Sequence, residues 1–231
     1  MSQIWDDFKF WLRGSTPDPE ALQDAENAIR LGLAGGFDSH EVLIERATEI
    51  LSESHKGADF KGVAAAALAR MLQERQEEMR SWPEVTDCDR LDAAFEDLNA
   101  MGIMARHNWW CCGNCGSGAM PDEFERLDGV WQGVPIIGYV YYHEQDTESA
   151  AEGGGVFLGF GSMIEADSEE EYEANSVLIA RTAVQTLESH GLRVEWEGVY
   201  SKRPCIVMNW QRRAKPDRFC EDSGETESTH D

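Results

Sequence analysis

The chain has 231 residues, 42% hydrophobic, 28% charged and 10% aromatic, enough to bury a sizeable core. Its 44 acidic against 20 basic side chains leave a net charge of −24, a field that repels phosphate backbones and anionic lipid headgroups. Neither nucleic acid nor a membrane surface is therefore an expected partner. No apolar run approaches the roughly 18–20 residues of a spanning helix, and the N-terminus MSQIWDDFKFW lacks a signal peptide's basic region. Six cysteines are too sparse for a disulfide scaffold in a chain of this length. A soluble, cytoplasmic protein is the expectation.

The first 83 residues read as helices. Ile4, Trp5, Phe8, Trp11 and Leu12 form one apolar stripe, stopped by Gly14. Ser15 and Thr16 are candidate caps for a second helix carrying Leu22, Ala25, Ile29 and Leu33, which ends at Gly35-Gly36. Asp38 with Glu41 has the spacing of a capping box, with Phe37 placed to staple onto Val42, before a helix with Leu43, Ala47, Ile50 and Leu51. An Ala-rich helix from Val63 to Arg80 is closed by Trp82-Pro83.

From residue 84 the period changes. Thr86 or Asp87 caps a helix whose inner face is Leu91, Ala94, Phe95 and Leu98, stopped by Gly102. Strands are predicted at 103–107, 135–142, 154–160, 192–197 and 204–210. A brief helix falls within 118–128. Ser168 with Glu171 opens a long helix that ends at Gly191. Short connections make the pairs 135–142/154–160 and 192–197/204–210 antiparallel neighbours. The fold class is α+β: an N-terminal helical unit (1–83), then a mixed or antiparallel sheet of about five strands with helices on one face (84–213). The aperiodic segment 214–231 reads as a disordered acidic tail.

Three features could carry function. Cys112-x-x-Cys115-Gly116 has the form of half a zinc knuckle, two thiolates from one tight turn. Zinc needs further ligands, and Cys111, Cys88, His107 and His143 are the candidates. The same pair could be a redox couple, although no βαβ pattern surrounds it, or simply two reduced thiols packed against Trp109 and Trp110. His143 at the end of the strongest strand, followed by Asp146, has the make-up of a general base with its orienting carboxylate, but the sequence places no nucleophile beside it.

The third feature is charge. Between Leu127 and Ala180 there is no Lys or Arg, while eleven acids occur. Glu169, Glu170, Glu171 and Glu173 crowd the start of one helix, where they favour its dipole. They also offer a docking face for a basic protein, with exposed Trp109 and Trp110 as anchoring side chains.

Residues 86–213 resemble a bacterial family known as domain of unknown function 6891. The resemblance is carried by Thr86-Asp87-Cys88-Asp89-Arg90-Leu91, Cys111-Cys112-x-x-Cys115-Gly116 and Tyr142-His143-x-Gln145-Asp146-Thr147-Glu148. Gly153–Gly155 and Val194-Glu195-Trp196 add to it, with the preceding helices a looser accompaniment. It implies no activity, only that the Cys loop and the His143 strand end belong to one pattern. The resulting expectation is an acidic protein-binding module of immunity or inhibitor type, leaning away from an enzyme. The alternative is a zinc-binding domain or enzyme using Cys112, Cys115, His143 and His107. The sequence does not fix the oligomeric state.

Overall fold

The structure, a computed structural model, describes residues 17–53 and 59–213. The helix expected over residues 4–12, the candidate caps Ser15 and Thr16, and the tail 214–231 lie outside the described residues. The described residues divide into two compact units, one within 17–82 together with Arg213 and the other of residues 83–212.

The first unit contains α1 (Pro19–Gly35), α2 (His40–Glu53) and α3 (Lys61–Met79). Asp18 caps α1 by accepting from the Glu20 N–H at 2.8 Å, and Gly36, at φ 78°, closes it by donating to the Gly32 carbonyl. At α2 it is Ser39 that takes the capping position, its hydroxyl accepting from Val42, while Asp38 pairs with Arg46 at 3.0 Å. The apolar stripe of each helix meets in one core: Ala25, Ile29 and Leu33 from α1, Leu43, Ala47 and Leu51 from α2, and Ala64, Leu68 and Met71 from α3. Phe60, just ahead of α3, is buried with them.

The second unit begins with α4 (Asp87–Ala100), held by a reciprocal capping box between Thr86 and Asp89. Then follow β1 (Ile103–Arg106), α5 (Gly113–Arg126), β2 (Val130–Trp131), β3 (Val134–Pro135), β4 (Gly138–Tyr141) and α6 (Glu144–Ala151). The order closes with β5 (Val156–Phe157), β6 (Gly159–Ser162), α7 (Glu169–Ser189), β7 (Arg193–Glu195) and β8 (Cys205–Val207). Ser168 caps α7 by accepting from the Glu171 N–H, but the Glu171 carboxylate reaches back to the Asp167 N–H, one residue beyond the cap.

The class is α+β, with the strands shared differently from the expected single sheet. One sheet has the order β1-β4-β6, a second has β5-β8-β7, and β2-β3 is a separate hairpin. The antiparallel pairs β4/β6 and β7/β8 join the neighbours expected from short connections. The pairing that local periodicity does not reveal is β1 with β4, which are parallel, with Ile103 opposite Gly138 and Arg106 opposite Tyr141. Between them runs α5, so a βαβ unit is present where none was expected. Helices cover both faces of this sheet, where one face was expected. Gly138 lies against Ile179 of α7, whereas Tyr139 and Tyr141, pointing the other way, pack with Met104 and Met120 of α5.

Candidate functional site

Ligand sites in sheets with parallel strands tend to form beyond the strands' carboxyl ends. Here β1 runs into the thiol loop, and β4 runs into His143. The two are tied by backbone bonds: Trp109 N–H to the Tyr142 carbonyl at 2.7 Å and Glu144 N–H to the Trp110 carbonyl at 3.0 Å. The loop turns through two non-glycine residues at positive φ, Asn108 at 47° and Trp110 at 61°. It then enters α5 with Cys112 at the N-cap position and Cys115 in the first turn. The Tyr141 hydroxyl donates to the Gly113 carbonyl at 2.8 Å, and Tyr141 also fills the space beside Gly116 where any side chain would clash.

Cys111, Cys112 and Cys115 converge there, with their sulfurs within 4.8 Å of one another. All three are free thiols, and no disulfide occurs among the described residues. The backbone N–H and the thiol of Cys115 hold the Cys112 thiol below its ordinary range. Cys115, facing the sulfurs of Cys112 and Cys111, is pushed up to about 11.

His143 flanks the same turn, since a Cβ added at Gly113 would lie 3.6 Å from its Nε2. Its ring is nevertheless committed elsewhere. Nδ1 accepts from the Asp146 N–H at 3.3 Å, and the Asp146 carboxylate accepts from the His143 N–H at 3.1 Å, a capping box for α6. Nε2 lies 3.1 Å from Asp146 Oδ2 and 3.4 Å from the Arg203 guanidinium, which itself donates to Asp146 at 2.6 Å. A neutral ring that accepts at Nδ1 carries its proton on Nε2, leaving that nitrogen no lone pair for a metal. Burial, joined by the Arg203 charge, outweighs Asp146 and holds the imidazole below its usual range.

His107 is placed in a different environment. Its ring stacks on Phe95 at 4.4 Å, its Nδ1 meets the Tyr142 hydroxyl at 2.9 Å, and Nε2 is 3.7 Å from Asp92. Asp92 in turn receives both terminal nitrogens of buried Arg212. Cys88 belongs to this buried region too, its thiol pushed up to about 11 by burial. The two histidines are thus structural partners of carboxylates, and the thiol cluster consists of Cys111, Cys112 and Cys115. Of the four further ligands considered from sequence, Cys111 is the one that joins the Cys112/Cys115 pair.

The acidic residues start α7. Glu169, Glu170 and Glu171 are exposed, and Glu173 is half-buried. Trp109 and Trp110 sit on the thiol loop. Trp109 donates its indole N–H to the Gly116 carbonyl at 3.1 Å, and Trp110 is 55% exposed. Other rings gather at α7: Tyr172 meets Tyr200 at 6.0 Å, Tyr200 meets Phe160 at 5.8 Å, and Phe160 meets Trp196 at 5.8 Å. Burial, then Tyr172, then the Glu173 and Glu169 carboxylates hold the Tyr200 phenol above its ordinary range.

A family model with the description Domain of unknown function (DUF6891) matches residues 18–214. The chain belongs to this family. The match begins ahead of α1, so the N-terminal helices are part of the family's pattern and not a loose accompaniment to it. Neither a curated protein nor a solved structure matches the chain. No helix among the described residues is long and apolar enough to cross a membrane.

Proposed function

We propose that this member of the family is an acidic, cytoplasmic docking module that binds a basic protein through the start of α7, in the manner of an immunity or inhibitor protein. The observation that carries this reading is the ring cluster Phe160, Tyr172, Trp196 and Tyr200 lying against the Glu169 and Glu173 side of the helix. A lysine or arginine side chain is attracted to aromatic faces and carboxylates together, and aromatic residues carry much of the energy in protein interfaces. Tyr200 is 36% exposed and its neighbour Val199 43%, so the cluster has contact area to offer. The net charge of −24 would speed the approach of a basic partner.

The test separates this face from bulk charge. A lysine- and arginine-rich peptide is titrated against the full chain at low and physiological salt. Tyr200→Ala is expected to weaken binding with its salt dependence kept, and Glu169→Lys with Glu173→Lys to weaken it and flatten its salt dependence. Charge reversal at Glu49, on α2, should leave it nearly unchanged. Equal effects from both reversals would reduce the binding to nonspecific attraction and end the proposal.

A further inference from the structure

We infer that Cys111, Cys112 and Cys115 form a three-thiolate site for a soft, closed-shell metal cation, zinc foremost, with a fourth coordination position open to solvent. Thiolates select such cations over magnesium or calcium, which take oxygen ligands. In four-coordinate zinc sites, sulfurs bonded at about 2.3 Å stand about 3.8 Å apart. The three sulfurs here already lie within 4.8 Å of one another, so side-chain rotation alone brings them to that spacing.

Adjacent residues share this site although the chain is extended at the second of them. In an extended segment the side chains of Cys111 and Cys112 would point to opposite faces. Here Cys112, at the N-cap, is extended at φ −154° and ψ 170°, and its sulfur still lies within 4.8 Å of that of Cys111 where the chain turns into α5. Cys115, in the first turn of α5, then brings its sulfur to the other two. The positive end of the helix dipole also offsets part of the negative charge that three thiolates bring together.

The ligand set differs from the one expected from sequence. His107 is stacked on Phe95 within a buried network, and His143 caps α6 with its Nε2 protonated. Among the described residues, no His, Asp or Glu joins the three thiols in a shared cluster. Trp110 and Cys115 are exposed at the loop surface, which leaves the remaining metal position to water or to an incoming ligand. Three protein ligands with an open position are the arrangement of metal centres that bind and activate a small molecule.

The experiment starts with the full, untagged chain purified without chelator and under reducing conditions. Zinc is measured per chain, and the metal-free protein is then titrated with cobalt(II), whose thiolate charge-transfer and tetrahedral bands report sulfur ligation. About one zinc per chain and thiolate–cobalt bands are expected. Cys111→Ser, Cys112→Ser and Cys115→Ser should each lose most of the metal, whereas Cys205→Ser and His143→Asn should keep it. Because the cobalt titration is done on the unaltered chain, a variant that fails to fold does not hide the answer. Metal-free protein with no cobalt–thiolate bands overturns the inference, as does a Cys112–Cys115 disulfide that forms in preference to the metal complex. Retention of the metal by Cys111→Ser would overturn the three-thiolate assignment.

Discussion

Replacing Glu123 with glutamine tests the best-defined buried ion pair in the second unit. Its carboxylate is 5% exposed and accepts from Arg106 Nε at 2.9 Å and Nη2 at 2.8 Å, and from Arg126 Nε at 2.8 Å and Nη2 at 3.0 Å. Arg106 is itself mostly buried and lies over the Trp131 ring at 4.9 Å. Arg126 is half exposed, so its share resembles that of a surface pair, about 0–1 kcal/mol. Removing the charge that answers Arg106 leaves a buried guanidinium uncompensated, at a cost of about 3–5 kcal/mol. For a unit of this size, each kcal/mol moves the melting temperature by roughly 3–5 °C, so a fall of about 10–20 °C is expected. The assay is thermal melting of the full chain followed by near-ultraviolet circular dichroism, with Arg126→Ala as the mild control. Burial would raise the carboxyl's pKa, but the bonds and charges of the two arginines outweigh it and hold it below the usual 4.5. The stabilisation is therefore complete above that value and is lost as pH falls through the lower, folded-state pKa. A Glu123→Gln penalty below about 1 kcal/mol, equal to that of Arg126→Ala, would refute the assignment of this cluster as a desolvated pair.

Three further predictions concern the frame of the site. His143 is held below its ordinary pKa of 6.5, so on acidification the unfolded chain takes up its proton first. Stability should thus fall as pH drops below about 6.5, and His143→Asn, which keeps a capping side chain, should lose that component; identical pH slopes in the two proteins would contradict the cap assignment. Gly102 sits at φ 81° with the Pro135 carbonyl oxygen where a Cβ would be, so Gly102→Ala should cost about 2–4 kcal/mol in urea unfolding. A near-neutral result would show that the turn before β1 can move. The Cys88 thiol, pushed up to about 11 and buried, should resist alkylation at pH 8, while in metal-free protein Cys112, held below its ordinary range, reacts first. Mass mapping after a short iodoacetamide pulse checks this, and early labelling at Cys88 would count against a closed core.

Most helices were legible because their signals are local, whereas α6 (Glu144–Ala151) was not among those expected. Thr86 with Asp89 three residues on, and apolar residues at 91, 94, 95 and 98, define α4 before any partner is known. The parallel pairing of β1 with β4 depends on contacts across more than 30 residues, and short connections elsewhere in the unit pointed only to antiparallel neighbours. At the site, C-x-x-C was readable as a pair and Cys111 as one of four further candidates, whereas the convergence of the three sulfurs depends on how the chain turns into α5. His143 carried a catalytic signature in sequence because histidine is an unusual helix cap. Only the reciprocal bond with Asp146 shows how the ring is used.

The fastening of residues 209–212 has a consequence for how the chain acquires its shape. Asn209 donates to Asp87 at 3.0 Å, and Arg212, 2% exposed, grips Asp92 with two nitrogens at 3.1 and 2.8 Å. The opening helix of the second unit is therefore completed by that unit's last residues. During synthesis the buried charge of Asp92 waits for an arginine made 120 residues later, so this unit cannot finish folding as it emerges. The described helical core of the first unit comes from residues 25–71. Ribosome-stalled chains with Arg212 held inside the exit tunnel or carried beyond it by a C-terminal extension would differ in protease resistance within the second unit.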